Sequence, residues 1–297
     1  ELERIARAYS EAISPLIGEK IDIPAPDVNT NGKIMSWMVD AYENVVKHSA
    51  PGVFTGKPVE FGGSLARTEA TGYGVNFAAV QALEKLGKDV KGATYAIQGF
   101  GNVGYHTGYY AHKSGAKVVA VSTVDVAIYN ENGLDMEALF KEYQEKGFIT
   151  NEAGYGKEIS NAELLALDVD VLAPCALENQ LTSENAGKVR AKIVVEGANG
   201  PTTPEADVIL RQNGVLVVPD ILANCGGVVV SYFEWVQNLQ GYYWEFDEVQ
   251  EKETVVLRRA FRDIWNLAKE YDVDLRTASY MMSIRRVEKA MKLRGWY

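Results

Sequence analysis

The sequence predicts an α/β protein, a doubly wound and mainly parallel sheet with flanking helices. Two observations lead to this prediction. From about Thr94 onward, short runs rich in β-branched residues alternate with segments of helical periodicity, as in parallel sheets whose strands are joined by helical crossovers. A glycine-rich segment, Gly99–Gly104, follows the first of these runs directly and opens the next helical segment.

The strands and helices of this sheet can be placed in order. Strand candidates are the runs Thr94–Gln98, Lys117–Val121, Val169–Ala173, Lys192–Glu196 and Val215–Val218. Helices short enough to act as crossovers are predicted at Val103–Lys113, Leu134–Lys146, Asn161–Leu167, Ser183–Val189 and Pro204–Gln212. Apolar residues at helical spacing predict further helices over about 2–13, 34–45, 71–86, 249–267 and 278–291. Because helical spacing begins at the first residues, we expect the chain to be part of a longer one.

The composition argues against several classes of function. Acidic residues number 40 against 30 basic ones, and the formal net charge of −10 repels phosphate backbones and anionic lipid. The apolar stretches are shorter than the roughly 18 residues of a membrane span. Only two cysteines occur, and the three histidines form no ligand set with carboxylates or thiols. We therefore expect no nucleic-acid or membrane partner, no metal and a reducing, cytoplasmic location.

The segment Gly99-Phe100-Gly101-Asn102-Val103-Gly104 has the glycine spacing of a dinucleotide site. The bare pattern occurs by chance, but a position between a strand and a helix is the context that the motif requires. Gly99 permits the tight turn, Gly101 lets the backbone approach a pyrophosphate, and Gly104 lets the helix pack closely on the strand. The N–H groups of the helix N-terminus then face the phosphates. A Rossmann-like dinucleotide domain is predicted, with a purely structural glycine turn as the alternative.

An acid that binds the adenosine ribose is expected about 20 residues beyond such glycines. Asp125, in Val121-Ser122-Thr123-Val124-Asp125, is the only acid within reach and favours NAD, because a carboxylate repels the 2′-phosphate of NADP. Thr123 instead offers a hydroxyl to that phosphate, and Asp125 as a solvated loop acid is a further alternative. NAD and NADP both stay open.

A second candidate site lies upstream, where Asp27 follows two prolines in Ile23-Pro24-Ala25-Pro26-Asp27. Each proline fixes its own φ at about −65° and pushes the preceding residue toward extended backbone, so Asp27 is held on a stiff segment. A carboxylate held in this way is a candidate functional group. The alternative is that Asp27 only precedes the next helix, for which Asn29, Thr30 and Asn31 are nearer caps.

Several long motifs resemble those of a known family, the hexameric glutamate dehydrogenases of the Glu/Leu/Phe/Val dehydrogenase group, over essentially the whole chain. In the family's order, they are 22–31 (DIPAPDVNTN), Thr55–Pro58, Gly62–Gly72, Gln98–Gly104, Glu196–Asp207, Pro219–Asn224 and Ser231–Trp235. The resemblance implies reversible oxidative deamination of L-glutamate to 2-oxoglutarate and ammonia. It also implies hydride transfer to NAD(P)⁺ and a homo-oligomer, a hexamer.

The resemblance also implies roles for individual residues. Asp27 matches the catalytic aspartate that exchanges a proton with the substrate amino group. Ser231 matches the serine that binds the substrate side-chain carboxylate, Val228 a wall of that pocket, and Pro26 a contact through its carbonyl. Cofactor contacts are implied for Arg67, Thr71, Asn102, Ala173, Pro174, Asn199 and Asn224, alongside Gly99–Gly104, Thr123 and Asp125. Asn199 is expected near the nicotinamide, whereas Arg67 and Asn224 have turn bracing as their alternative.

By this resemblance, we expect residues 1–60 to be the remnant of a substrate-binding and oligomerisation domain and 61–235 to be the dinucleotide domain. Residues 236–297 are expected to be helices that pack back toward the substrate domain.

Two departures from the family pattern stand out. The family's glycine-rich segments with lysines, which grip the substrate and activate water, have no counterpart here, since Gly62-Gly63-Ser64 carries no lysine. The aspartate common after the serine at position 122 is replaced by Thr123, which bears on the choice of cofactor.

Two other functions are alternatives. The missing lysines favour a catalytically silent NAD(P)-binding fragment or regulatory subunit, since the charge that polarises the developing imine is absent. A branched-chain or aromatic amino acid dehydrogenase is the second, and the hydroxyl of Ser231 argues against it because such pockets are apolar. Cys175 and Cys225 are expected to be small buried residues, not nucleophiles.

Overall fold

The computed structural model describes residues 1–27 and 29–296, so Val28, within the proline-rich motif, lies outside the described residues. The chain divides into two compact units. Unit 1 consists of Glu1–Ala70 with Gly227–Glu253, and unit 2 consists of Thr71–Gly226 with the residues from Thr254 onward. The three-part domain division drawn from the sequence stays a prediction.

The described residues form eleven α-helices and three short 3-10 turns. The helices are α1 Leu2–Ile13, α2 Gly32–Val46, α3 Ala70–Lys85, α4 Asn102–Lys113, α5 Met136–Lys146, α6 Asn161–Leu165, α7 Pro204–Gln212, α8 Asp220–Ala223, α9 Gly226–Gln240, α10 Phe246–Tyr271 and α11 Leu275–Leu293. The 3-10 turns are Pro51–Val53, Val59–Phe61 and Ala186–Lys188. Within 1–27 and 29–296, no helix is both long enough and apolar enough to span a bilayer.

Unit 2 contains one seven-stranded sheet. Its strands are β1 Thr94–Gln98, β2 Lys117–Ser122, β3 Ala127–Tyr129, β4 Lys157–Ile159, β5 Val171–Pro174, β6 Ile193–Val195 and β7 Leu216–Val218. The spatial order is β4-β3-β2-β1-β5-β6-β7, and β2, β1, β5, β6 and β7 are parallel neighbours. Strand order therefore reverses beside β1, which is where open α/β sheets bind ligands. The doubly wound α/β prediction is confirmed.

Several details differ from the prediction. Strands β3 and β4 were not predicted; each has only three residues, too few to show the alternation that marks a strand, and they pair antiparallel. The helix predicted over Ser183–Val189 is wrong, since only the 3-10 turn forms there. The Asn185 side chain accepts from Thr182 N at 2.9 Å and donates to the Gln180 carbonyl at 2.8 Å. These local bonds compete with a helix.

Both faces of the sheet are buried, as the crossover helices require. In β1, Tyr95 and Ile97 enter the apolar cluster on one face, while Ala96 between them enters the cluster on the other. This alternation follows from the two-residue repeat of a strand. The core therefore fixes the carboxyl end of β1, from which the glycine-rich turn leaves.

Unit 1 has its own apolar core and its own helix cap. The core gathers residues of α1 and α2 with the 3-10 segment, including Ile34, Met38 and Phe54. Among the three predicted capping residues, Asn31 is the one whose side chain caps α2, accepting from Ile34 N at 3.2 Å.

A buried ion pair also holds unit 1 together. Lys57 Nζ lies 2.7 Å from Glu234 Oε1, and both side chains are completely shielded from solvent. The same carboxylate accepts from Gly56 N at 2.9 Å and from Lys57 N at 3.2 Å, and Lys57 Nζ also donates to the Phe54 carbonyl at 2.6 Å. Burial lowers the pKa of Lys57, and the carboxylate of Glu234 opposes that shift. The pair ties residues 54–57 to α9.

We expect Lys57→Met to lower the free energy of unfolding by roughly 3–5 kcal/mol, because it leaves the Glu234 carboxylate buried without its counter-charge. Urea denaturation followed by circular dichroism measures the change. Adding Glu234→Gln to Lys57→Met should recover part of the loss, since no buried charge is then unpaired.

The matched control is Lys292→Met, which removes an ion pair with Glu288 in which both side chains are largely exposed. Its cost is expected to stay within about 0.5 kcal/mol. A loss of less than about 1 kcal/mol for Lys57→Met would contradict the role given to the buried pair.

Candidate functional site

The glycine-rich turn after β1 leaves no space for side chains at two of its positions. Gly99 has a φ of +86°, and a Cβ on it would lie 2.8 Å from Ala176 N. A Cβ on Gly104 would lie 1.7 Å from the Gly99 carbonyl oxygen, so α4 packs directly against the turn. Both glycines are required by the fold itself.

Gly101 differs from these two glycines. Its φ is −81°, which any residue adopts, and a Cβ on it would meet no protein atom within 4 Å. Gly101 is also the residue before Asn102, the first residue of α4, whose N-terminus favours anions. The space in front of Gly101 is therefore open to a ligand, as the fingerprint predicts.

A cleft of about 560 Å³ lies at the carboxyl end of β1 and β2, within unit 2. It brings together five predicted cofactor residues, Gly99, Phe100, Gly101, Thr123 and Asp125. Lining residues that were not predicted as cofactor contacts are Gln98, Ser122, Val124, Tyr143, Gly147, Phe148, Asn161, Cys175, Ala176, Leu177 and Gln180. They come from strand ends, loops and helices that are far apart in sequence, so no local pattern identifies the set.

Side-chain amides form one wall of the cleft. Gln98 Nε2 donates to Gln180 Oε1 at 2.7 Å and to Asn161 Oδ1 at 3.2 Å. The Gln98 Oε1 atom is buried and has no hydrogen-bond partner. Gln98 ends β1 directly before the glycine turn, so this network fixes the strand end from which the turn begins.

Thr123 and Asp125 lie in a tight turn between β2 and β3. The Thr123 hydroxyl accepts from Asp125 N and from Val126 N, both at 3.2 Å, and Thr123 N donates to the Val126 carbonyl at 2.7 Å. Both lone pairs of the hydroxyl are thus directed at the turn's own backbone. Asp125 is exposed, and the residues that line the cleft include neither lysine nor arginine.

Ala173 and Pro174 are buried within β5, and the three residues that follow them line the cleft instead. The Pro174 carbonyl accepts from Gly197 N at 3.0 Å and from Ala198 N at 2.9 Å, which joins β5 to the loop after β6. Cys175 and Cys225 are both half-buried and form no disulfide with each other. Burial raises the pKa of the Cys175 thiol to about 12, so it remains protonated and unreactive at neutral pH.

The remaining predicted cofactor residues of unit 2 are more widely distributed. Asn224 Nδ2 donates to Asn199 Oδ1 at 2.7 Å and to the Gly197 carbonyl at 3.3 Å, so these two asparagines lie together. Thr71 is the second residue of α3 and is half-buried, and Val103 lies in the first turn of α4. None of these lines the cleft described above.

In unit 1, the loop before Asp27 is anchored to residues 54–57. Thr55 N donates to the Pro24 carbonyl at 3.1 Å, and a Cβ on Gly56 would lie 2.4 Å from Pro26 Cγ. Asp27 is exposed, and Thr30 N donates to its carbonyl at 2.9 Å. Contacts from residues 55 and 56 therefore restrain the proline segment in addition to the proline rings themselves. This is consistent with the stiff placement predicted for Asp27.

Three further candidate residues gather around α9. Arg67 Nε donates to Ser231 Oγ at 2.8 Å, although the sequence suggested a cofactor contact for Arg67. Burial lowers the pKa of Arg67, and the negative charge of Glu234 opposes this shift. Val228 is 67% exposed, one turn before Ser231. A cationic guanidinium beside a hydroxyl, next to an exposed valine, is an arrangement that suits a carboxylate on an aliphatic chain.

Glu253 is a buried acid that the sequence analysis did not identify as functional. Its side chain is fully buried, and neither carboxyl oxygen has a hydrogen-bond partner. Burial, together with the charge of Glu69, raises its pKa to about 9, while Arg67 opposes the shift. Glu253 is therefore protonated at neutral pH. Across 1–27 and 29–296, no three side chains of the metal-binding types come together as a possible metal site.

Comparison with known proteins gives two family matches. The family described as Glutamate/Leucine/Phenylalanine/Valine dehydrogenase matches residues 62–295. The family described as Glu/Leu/Phe/Val dehydrogenase, dimerisation domain, matches residues 1–44.

The chain is similar over its whole length to individual members. The NAD-specific glutamate dehydrogenase of Clostridioides difficile is 55% identical over 302 residues, covering 100% of this chain and 72% of that protein. The glutamate dehydrogenase of Thermotoga maritima is 51% identical over 298 residues, covering 100% and 71%. The solved glutamate dehydrogenase of Peptoniphilus asaccharolyticus has a TM-score of 0.87 at 44% identity, covering 100% and 71%. The hetero-hexameric glutamate dehydrogenase of Thermus thermophilus, in a Leu-bound form, has a TM-score of 0.93 at 35% identity, covering 100% and 70%.

The pKa of Glu253 predicts a pH-dependent stability. Because its folded-state pKa of about 9 lies above the ordinary value, the folded protein keeps a proton that the unfolded chain loses. The contribution of Glu253 to the free energy of unfolding is fully present below about pH 4.5. Above that pH it decreases, by up to about 1.4 kcal/mol per pH unit, until about pH 9. Glu253→Gln should remove this dependence, so its melting temperature should exceed that of the wild type increasingly from pH 5 to pH 9.

The control is Glu251→Gln, at an exposed position in the same helix. It should shift the melting temperature equally at every pH in this range. Parallel pH profiles for the wild type and Glu253→Gln would show that Glu253 has no raised pKa.

Proposed function

Because the chain belongs to the Glutamate/Leucine/Phenylalanine/Valine dehydrogenase family, we propose that it catalyses the reversible oxidative deamination of L-glutamate to 2-oxoglutarate and ammonia, with NAD⁺ as the hydride acceptor. Family membership makes it an oxidoreductase. The observation that supports L-glutamate as the substrate is the hydrogen bond from Arg67 Nε to Ser231 Oγ.

The pair of Arg67 and Ser231 supports an acidic substrate side chain. A half-buried guanidinium beside a hydroxyl gives a carboxylate a counter-charge and a hydrogen-bond donor together. A leucine or phenylalanine side chain would offer neither group a hydrogen-bond partner and would give the guanidinium no counter-charge, so the pair favours an acidic side chain. On this proposal Arg67 acts on the substrate side, not as the cofactor contact suggested by its motif.

Asp27 is proposed as the group that exchanges a proton with the substrate amino nitrogen. Its carboxylate has the required chemistry, and the anchored prolines limit the positions that it takes up. Pro26 presents its carbonyl to the same substrate on this proposal. A bound nicotinamide would supply the acceptor for the hydride of the substrate Cα.

The cleft of unit 2 supports NAD as the cofactor. A 2′-phosphate on the adenosine ribose would lie near the Asp125 carboxylate and would find no cationic side chain among the lining residues. The Thr123 hydroxyl is already bonded to its own turn. Gly99–Gly104 and the N-terminus of α4 are proposed to hold the pyrophosphate.

We also propose hexameric assembly in a reducing cytoplasm. Leu2, Ile5 and Tyr9 lie on α1, within the residues that match the dimerisation-domain family, and each is more than half exposed. Apolar residues exposed together mark an interface. The similar enzyme of Thermus thermophilus is a hetero-hexamer. The two cysteines form no disulfide with each other, as in proteins of reducing compartments.

Asp27→Asn tests the proposed reaction. We expect kcat for glutamate to fall by roughly 10²- to 10⁴-fold, because the amide does not accept the proton, while NADH affinity stays the same. Steady-state kinetics and the fluorescence of bound NADH measure the two quantities. Asp22→Asn, in the same loop, is the control and should change neither.

Each other outcome has a definite meaning. Lost NADH affinity with unchanged turnover would overturn the role of Asp27. A wild type that binds NADH but turns over no amino acid would be the silent nucleotide-binding protein. Faster turnover of leucine than of glutamate would instead indicate a branched-chain amino acid dehydrogenase.

Gly101→Ala tests the cofactor site separately from the fold. The added methyl meets no protein atom within 4 Å, so we expect an unchanged melting temperature. The dissociation constant for NADH should rise at least about tenfold, because the methyl occupies space that the pyrophosphate needs. Gly187→Ala is the control, since its methyl also meets no atom within 4 Å and lies outside the cleft. NADPH should bind more weakly than NADH to the wild type. Unchanged NADH affinity in Gly101→Ala would contradict the site.

A further inference from the structure

One arginine in unit 2 contacts carboxylates from three separate segments. Arg276 is the second residue of α11, and its side chain is 23% exposed. Its Nη2 lies 2.6 Å from Glu196 Oε1 and its Nη1 lies 3.1 Å from Glu196 Oε2, a two-pronged pairing. Its Nε also donates to Asp207, and its Nη1 lies 3.4 Å from Asp220 Oδ1.

Glu196 depends on this arginine for its charge. The Glu196 side chain is completely buried, and burial raises the pKa of its carboxyl while the bonds to Arg276 oppose that shift. Burial also disfavours the charged guanidinium, but the bonds to Glu196 and Asp207 outweigh this and raise the pKa of Arg276. Removal of Arg276 would leave a carboxylate in the interior without a counter-charge.

Two of these carboxylates hold the two ends of one short loop, residues 196–200. Glu196 begins the loop directly after β6, and its Oε2 accepts from Asp220 N at 2.8 Å. Asp220 Oδ2 in turn accepts from Gly200 N at 2.8 Å, at the other end of the loop. Asn199 lies between these ends, is exposed, and accepts the bond from Asn224.

We propose that Arg276 is a positioning residue for the cofactor. By fixing Glu196 and Asp220, it sets the conformation of residues 196–200 and thereby the direction in which Asn199 offers its amide to the nicotinamide half. This inference rests on the proposed function, in which Asn199 contacts the cofactor. Arg276 lies far from the glycine fingerprint in sequence, and on this proposal it acts on the cofactor indirectly, through these carboxylates.

The geometry requires arginine at this position. The planar guanidinium donates to both oxygens of Glu196 while its remaining N–H groups reach Asp207 and Asp220. A lysine is a single point of charge with three donors and does not reproduce the two-pronged pairing. Arg276→Lys should therefore keep the charge but lose part of the alignment.

The experiment compares Arg276→Lys and Arg276→Gln with the wild type. We expect the dissociation constant for NADH to rise about tenfold in Arg276→Gln and less in Arg276→Lys, and kcat/KM for NAD⁺ to fall roughly 10- to 100-fold in Arg276→Gln. The KM for glutamate should not change, because Arg67 and Ser231 are untouched. A purely structural ion pair would lower the melting temperature without this cofactor-specific pattern.

Arg211→Gln is the matched control. It removes another ion pair at the same end of α11, in which Arg211 Nη1 lies 3.4 Å from Asp274 Oδ2. Arg211 has no bond to residues 196–200, so NADH affinity should stay at the wild-type value. If Arg211→Gln weakened NADH as much as Arg276→Gln does, the effect would belong to α11 generally, and the proposal would fall.

Two further variants test the route through the loop. Arg276→Gln combined with Asn199→Ala should lose little more NADH affinity than the weaker-binding single variant, because both changes remove the same contact. Losses of NADH affinity that multiply in the double variant would overturn the proposal.

Asp220→Ala removes the bond to Gly200 while leaving the pairing of Arg276 with Glu196, so it tests the same route even where Arg276 variants do not fold. Unchanged NADH affinity in Asp220→Ala would also overturn the proposal.

These outcomes are distinguishable from failure of the proposed function. A wild type that neither binds NADH nor turns over glutamate would refute the dehydrogenase itself. A wild type that does both, with folded Arg276→Gln at wild-type NADH affinity, would refute only the positioning role.

Discussion

The buried pairing of Lys57 with Glu234 is the interaction on which the residues proposed to bind the substrate depend. One carboxylate on α9 accepts two backbone N–H groups and one ammonium, which fixes residues 54–57. That segment in turn carries the proline loop, through Thr55 and Gly56, and so positions Asp27. The same turn of α9 carries Ser231. Local stiffness from prolines is therefore not sufficient by itself; the stiff loop needs a fixed base, and a desolvated charge pair supplies it.

The cofactor side is organised by a different kind of constraint. At the glycine turn, the constraint is space: α4 approaches β1 so closely that a side chain at Gly104 has no room. At residues 196–200, the constraint is charge: carboxylates close in space need one shared guanidinium. A packing constraint of the first kind can be recognised in the local sequence, because it requires a glycine. Charge constraints of the second kind are distributed over residues that meet only in the folded chain.

This difference explains how much the sequence alone reveals. The bounds of β1 and the position of the glycine turn follow from sequence, because both depend on neighbours along the chain. Short antiparallel strands such as β3 do not, since three residues carry no periodicity. The candidate site shows the same division. Asp27 and Ser231 are recognisable within motifs, whereas the roles of Glu253 and Arg276 arise from burial and from partners far away in sequence.

The tie between Arg276 and Glu196 also sets an order of events during synthesis. The ribosome completes the glycine turn and the first five strands long before it makes α11, so the nascent chain has the glycine turn early. Until Arg276 emerges, Glu196 has no counter-charge and the end of β6 has no stable buried state. The carboxylate at the end of β6 therefore gains its counter-charge only when the last helix has been made. On the proposed function, the residue that fixes the loop of Asn199 is thus among the last to be made, even though the glycine signature of the cofactor site is made first.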